Sequence, residues 1–175
     1  MDKSRRVGFT IVELLIVIVV IAILAAISII AYNGIQDRAR TNKINSDLAL
    51  FDKAIQSARV NNGEVALRFI TNSTGTAGGC TEYAATIDLA NKTDAANCWN
   101  GYNASLTAIS NASGINIVGL SDPWGRPYFL DENEKEGTTL CGNGRDAIGA
   151  FPRPRVQSSW STTNWRQIPY VTPGC

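Results

Sequence analysis

The chain has 175 residues, of which 45% are hydrophobic and 18% charged, and this is enough apolar sequence for one modest core. Sixteen basic residues against fifteen acidic ones leave a net charge of +1, so we expect no nucleic-acid partner. The sequence contains no histidine. This excludes Ser-His-Asp and Cys-His catalysis, histidine metal ligands and an imidazole pH switch.

A long apolar segment near the N-terminus predicts a membrane-spanning helix. Residues 14–31 are apolar apart from Ser28, and a helix over this run is about 27 Å long, close to the hydrocarbon thickness of a bilayer. Lys3, Arg5 and Arg6 precede it. A basic flank on this side predicts a cytoplasmic N-terminus and export of the remainder of the chain.

Two of the three interpretations of this segment do not depend on resemblance to a known family. A cleaved secretory signal needs a shorter apolar core followed by a small-residue site, but the nearest such site, Ala26-Ile27-Ser28, lies inside the apolar run. A plain single-pass anchor fits the length. It does not explain Glu13, because a carboxylate costs about 2–3 kcal/mol at the centre of a bilayer and somewhat less near its edge.

The third interpretation is a family resemblance. Residues 8–17, Gly-Phe-Thr-Ile-Val-Glu-Leu-Leu-Ile-Val, resemble the processing site and helix start of type IV pilins and the related pseudopilins, and the resemblance covers roughly residues 1–60. In that family a membrane peptidase removes a short basic leader and N-methylates the new N-terminus. The resemblance implies a leader of residues 1–8, cleavage between Gly8 and Phe9, and N-methylation of Phe9.

The same resemblance implies that Glu13 sets the register of neighbouring subunits, and elementary chemistry agrees. Cleavage before Phe9 creates an α-amino group, and an amine and a carboxylate in hydrocarbon are stabilised by pairing. Glu13 of one subunit pairing with Phe9 of the next would fix the axial stagger of the helices. Many family members have a proline part-way along this helix, where this chain has Ile30.

Beyond the transmembrane half, residues 9–32, the pattern predicts an amphipathic half of the same helix over residues 33–62. Apolar residues recur there at spacings of three and four, and Asn61-Asn62-Gly63 ends the helix near Val60. The predicted buried stripe consists of Ile44, Leu48, Phe51, Ile55 and Ala58. The predicted polar side carries Lys43, Asn45, Asp47, Asp52, Lys53 and Arg59.

Residues 63–175, called the head below, show no sustained helical period and predict a small antiparallel sheet laid on the amphipathic half-helix. The candidate strands are residues 115–120, 128–130, 138–141 and 147–151. The expected fold class is therefore α+β, a long N-terminal helix with a β-rich exported head, as in type IV pilins. The string Asp122-Pro123-Trp124-Gly125-Arg126-Pro127-Tyr128 is similar to one in the major pseudopilins of type II secretion.

The four cysteines, Cys80, Cys98, Cys141 and Cys175, all lie on the exported side, where an even number favours disulfides. An all-cysteine zinc site is the alternative, although no two cysteines have C-x-x-C spacing. Three disulfide pairings are possible, and we favour Cys80–Cys98 with Cys141–Cys175. The second pair matches the disulfide-bounded C-terminal loop that the pilin resemblance implies.

An acidic run follows one candidate strand and contains Asp131, Glu132, Glu134 and Glu136. Related major pseudopilins bind calcium in a C-terminal loop, so Asp131, Glu132 and Glu134 are candidate calcium ligands by resemblance. The run has no EF-hand pattern, and we favour a solvated surface loop without metal. Five aromatic residues of the head are assigned to packing rather than to ligand binding: Trp99, Tyr102, Trp124, Trp160 and Trp165.

The favoured function is a structural subunit of an extracellular type IV pilus, with no catalytic residue, cofactor or enzymatic activity. The alternative is a pseudopilin of a type II secretion or DNA-uptake machine, and a membrane-anchored enzyme or ligand-binding module comes third. The resemblance implies other copies of the chain, the prepilin peptidase, an assembly platform and an ATPase as partners. It places the chain in the inner membrane before assembly and on the cell surface afterwards.

Overall fold

The computed structural model describes residues 10–73, 75, 78–81, 83, 86–152 and 163–175. The chain divides into two compact units, residues 1–41 and residues 42–175. The sequence predictions for Gly8, Phe9 and Trp160 lie outside the described residues.

The first helix, α1, runs from Ile11 to Asn61 and contributes to both units. It contains no proline, and its one glycine, Gly34, has open space around its Cα. The helix ends where predicted: Gly63 takes a left-handed φ of 79°, and the amide of Glu64 bonds back to the carbonyl of Arg59 at 2.8 Å. This i→i−5 bond satisfies one of the carbonyls that a helix end leaves open.

The amphipathic half of α1 buries the predicted stripe. Ile44 is 5% exposed, Phe51 1%, and the other three stripe residues are fully buried. The prediction is wrong for Arg59, which was placed on the polar side but is 2% exposed. Its partners are Glu134, Asp146 and Pro169, all far away in the sequence, so helical periodicity alone could not reveal its burial.

The head contains a long helix that the sequence analysis missed. Helix α4 runs from Ala96 to Ser113, and Gly114 ends it with a φ of 73°. Two short helices precede it, α2 at Leu67–Thr71 and α3 at Gly78–Thr81. The buried face of α4 consists of Cys98, Trp99, Tyr102, Ser105, Leu106, Ile109 and Ser113. These residues do recur at helical spacing, but the Asn, Ser, Thr and Gly between them are typical of loops.

The described residues of the head also form an antiparallel three-stranded sheet in the order β1-β2-β3. Its strands are β1, Phe129–Asp131; β2, Ala147–Ala150; and β3, Thr163–Gln167. Leu130 pairs with Ile148 and Ile148 with Arg166, and the register shifts between Ile148 and Ala150, opposite Asn164 with its φ of 54°. The α+β fold is thus confirmed, as are the predicted strands at 128–130 and 147–151.

Two predicted strands are wrong, and one strand was missed. Residues 115–120 and 138–141 lie in turns and irregular chain. Local bonds explain the difference: the Asn116 side chain accepts from the amide of Val118 at 3.0 Å, and the amide of Gly142 bonds to Thr139 at 3.2 Å. Strand β3 is rich in polar residues, so it has little hydrophobic alternation to identify it.

The core of the head lies between the second half of α1, α4 and the sheet. Phe51 belongs to this core, and its ring lies 5.7 Å from that of Tyr128 and 6.5 Å from that of Tyr102. Trp99 packs edge-on against Tyr102 at 5.8 Å and donates from its indole nitrogen to Leu89 at 2.7 Å. The predicted packing role thus fits Trp99 and Tyr102. Trp165 is 42% exposed, but its ring lies 5.4 Å from that of Phe129, so it packs at the edge of the sheet.

Candidate functional site

The start of α1 is a capping box made by Thr10 and Glu13. The Thr10 amide and hydroxyl each donate to Oε2 of Glu13 at 2.8 Å, and the Glu13 amide donates to the Thr10 hydroxyl at 3.2 Å. A Thr-x-x-Glu pair of this kind satisfies amide donors that a helix start leaves open. Within one chain, therefore, Glu13 stabilises the first turn of α1.

The first half of α1 exposes its apolar side chains. Every side chain from Ile11 to Ile29 is exposed, and Ser28 bonds back to the Leu24 carbonyl at 2.7 Å, so its hydroxyl is satisfied within the helix. Among the described residues, α1 is the one helix that is long and apolar enough to cross a membrane. An apolar surface of this length is stable when lipid or other helices cover it.

The cysteines of the head form two disulfides, in the pairing that the sequence analysis favours. Cys80 of α3 is bonded to Cys98 of α4, and Cys141, in the β1–β2 connection, is bonded to Cys175. The first bridge is buried, with Cys80 1% exposed and Cys98 fully buried, whereas both cysteines of the second are half-buried. The second bridge encloses the chain from β2 to the C-terminus.

The acidic run is not the solvated loop that the sequence analysis favours. Glu132 and Glu134 are fully buried and Asp131 is 7% exposed. The chain turns back on itself here: the Asn143 amide bonds to the Asn133 carbonyl at 3.1 Å. A Cβ at Gly142 would lie 2.2 Å from that carbonyl oxygen, so this close approach requires glycine.

Glu134 and Asp146 both bind the Arg59 guanidinium, and these three residues are called the arginine cluster below. Nη2 of Arg59 donates to Asp146 and also to Glu134 at 3.4 Å, and Nη1 donates to the carbonyl of Pro169 at 2.5 Å. Burial raises the pKa of the Asp146 carboxyl, against the bond from the Glu134 amide and the charge of Arg59, which lower it. Sequence reasoning had no local signal for this cluster.

The arginine cluster also fixes residues 168–175, called the C-terminal loop below. Oε1 of Glu134 accepts from the amide and the hydroxyl of Thr172 at 2.7 and 2.6 Å, and from the amide of Val171 at 3.1 Å. The amide of Ile168 bonds to the backbone carbonyl of Asp146 at 2.8 Å. The carboxylates therefore hold the end of the chain as well as the arginine.

The sequence comparisons give the family. The model of the prokaryotic N-terminal methylation motif matches residues 3–29. Type II secretion system core protein G of Aeromonas hydrophila is 30% identical over 132 residues, which are 74% of this chain and 76% of that protein. The chain belongs to the type IV pilin and pseudopilin family.

A second relative is consistent with this membership. The type IV major alpha-pilin of Moraxella bovis is 41% identical over 55 residues, 31% of this chain and 35% of that pilin. No solved structure matches the chain. Pilins and pseudopilins are structural subunits that are anchored in a membrane and then assemble into multi-subunit filaments. This chain is such a filament subunit.

Proposed function

We propose that the chain is the subunit of an extracellular type IV pilus. The observation that carries the proposal is the Cys141–Cys175 disulfide, which closes the C-terminal segment into the bounded loop that many pilins have. A fibre outside the cell experiences shear and an oxidising medium, and covalent closure of an otherwise free terminus suits both. The exposed apolar half of α1 supplies the surface that neighbouring subunits bury.

The proposed route to the fibre begins with processing. The prepilin peptidase removes residues 1–8 by cleavage between Gly8 and Phe9, and Phe9 is then N-methylated. Residues 9–32 form the membrane and fibre core, 33–62 the amphipathic half of the helix, and 63–175 the exported head. Until assembly the chain spans the inner membrane once, with its N-terminus in the cytoplasm.

Assembly then depends on Glu13 and on the amine of Phe9. In the membrane the Glu13 carboxylate is satisfied by Thr10 of its own chain, and in the fibre it pairs with the amine of a neighbouring subunit. A platform protein and an ATPase drive the process. We expect the chain itself to contribute no catalytic residue and no cofactor site to this process.

The second candidate is a pseudopilin of a type II secretion machine. It is favoured by the length of the match to the Aeromonas hydrophila protein, since 132 aligned residues extend well beyond the N-terminal helix. The match to the Moraxella bovis pilin spans 55 residues. The two candidates share processing, membrane anchoring and homopolymer assembly, and they differ in where the fibre ends.

A deletion strain separates the two candidates. Electron microscopy would count surface filaments, and the culture supernatant would be assayed for secreted proteins, in the deletion strain and after complementation with the wild-type chain. A pilus subunit predicts loss of filaments with unchanged secretion. Loss of secretion with unchanged surface filaments would contradict the pilus proposal and favour the pseudopilin.

A further inference from the structure

The oxygen atoms around the Arg59 guanidinium are of the kind that bind metal ions, but the cation that they bind is the guanidinium itself. Glu134, Asp146 and the carbonyl of Pro169 supply the hard oxygen ligands that calcium prefers. All three converge on the guanidinium of Arg59, which is 2% exposed. Among the described residues, no group of three or more His, Cys, Asp or Glu side chains is placed to hold a metal ion.

We propose that Arg59 is the resident cation of the head and holds the C-terminal loop in place without a divalent metal ion. A calcium ion and a guanidinium cannot occupy the same space between two carboxylates. The guanidinium is a fixed part of α1, so it does not have to be taken up from the medium. The C-terminal loop therefore needs no calcium from the medium.

The geometry explains how one side chain can do this. Arg59 sits in the last turn of α1 and reaches both carboxylates and a backbone carbonyl, which together accept bonds from two of its nitrogens. Glu134 uses its other oxygen to bind Val171 and Thr172. The arginine thus acts as a positioning residue, since it fixes Glu134, and Glu134 fixes the C-terminal loop.

The first experiment measures the effect of metal on the full-length chain in detergent. All four tryptophans, at positions 99, 124, 160 and 165, lie in the head, so their fluorescence reports its thermal unfolding. The midpoint in excess EDTA should equal the midpoint in millimolar CaCl2. A midpoint that rises clearly with calcium, or falls with EDTA, would overturn the proposal.

The second experiment separates charge from packing. Arg59→Met keeps much of the side-chain volume but leaves two buried carboxylates without a cation, and should lower the midpoint by roughly 10 °C or more. Arg59→Lys should lose less. Adding Asp146→Asn to Arg59→Met should raise the midpoint again, although Asp146→Asn alone lowers it.

The effect of Asp146→Asn on the midpoint thus changes sign when Arg59 is replaced, and this change indicates that Arg59 acts as a cation. If Arg59 acts by packing alone, Arg59→Met matches the wild type and Asp146→Asn has the same effect in both backgrounds, which would contradict the proposal. If Arg59→Met gives no folded protein, the same test uses Arg59→Lys and the double variant. Both should then fold, and both should unfold independently of calcium.

Discussion

The hydroxyl of Tyr128 donates a hydrogen bond of 2.7 Å to Oδ2 of Asp47, across 81 positions of the sequence. The same oxygen accepts from the Lys43 ammonium at 2.5 Å, and Lys43 also donates to the Ser121 carbonyl at 2.9 Å. Burial, together with the neighbouring Asp47 carboxylate, raises the pKa of the Tyr128 hydroxyl. The hydroxyl therefore stays protonated and ties the residue before β1 to the amphipathic half of α1.

Removing this hydroxyl should weaken the head. Tyr128→Phe keeps the ring beside Phe51 but deletes a part-buried hydrogen bond to a charged group, which contributes about 1.5–3 kcal/mol. Urea unfolding of the full-length chain, followed by tryptophan fluorescence, measures the loss. Tyr32→Phe is the matched control, because Tyr32 is 61% exposed in the apolar half of α1, and it should leave the midpoint unchanged. An equal effect of both variants would contradict this account.

Two glycines test the helix that the sequence analysis missed. Gly101 lies inside α4 and Gly114 follows it, and neither would bring a new Cβ within 4 Å of another group. Gly101→Ala should raise the free energy of unfolding by about 0.5–1 kcal/mol, because alanine favours the helix. Gly114→Ala should lower it by roughly 1 kcal/mol, since the φ of 73° there strains any Cβ. If both substitutions change the free energy of unfolding in the same direction, α4 does not contain Gly101 and end before Gly114 as described here.

The two disulfides should differ in their access to reductant. Cys141 and Cys175 are half-buried, whereas Cys80 and Cys98 lie in the core. A thiolate must reach a sulfur atom to attack it. Under native conditions, dithiothreitol followed by alkylation and peptide mapping should label the Cys141–Cys175 pair first. Prior or simultaneous labelling of the core pair would contradict the burial found here.

Glu13→Gln should separate the two roles of this residue. Glutamine can replace glutamate in a capping box, so α1 should still begin at the same point and enter the membrane. The charge that pairs with the neighbouring Phe9 amine is lost, so filaments should be abolished or greatly reduced at unchanged subunit abundance. Ser28→Ala is the control within the apolar segment and should retain filaments. Wild-type filament counts for Glu13→Gln would show that the charge is not required.

The elements that could be predicted from the sequence are those with a local signal. The stripe from Ile44 to Ala58 follows helical spacing, and the end of α1 carries Asn and Gly, so both were found. Helix α4 also has an apolar face at helical spacing, but Asn and Ser residues lie between its members, and no sustained helical period was identified in the head. Its face is recognisable once Cys98, Tyr102 and Ile109 are counted together.

The arginine cluster could not be predicted, for a different physical reason. Arg59 is separated from Glu134 by 75 residues and from Asp146 by 87. A charged side chain is stable in a core when specific partners satisfy it, and no periodic pattern records partners so distant. The acidic run was for the same reason assigned to solvent, because its burial depends on the turn at Gly142.

The intact mass of the subunit in sheared surface filaments decides whether this chain is a processed filament subunit with an oxidised head. The expected mass is that of residues 9–175 with one N-methyl group and four hydrogens fewer for its two disulfides, and fragmentation should place the methyl group on Phe9. Filaments that lack this chain, or that contain it with residues 1–8 attached, would contradict the account.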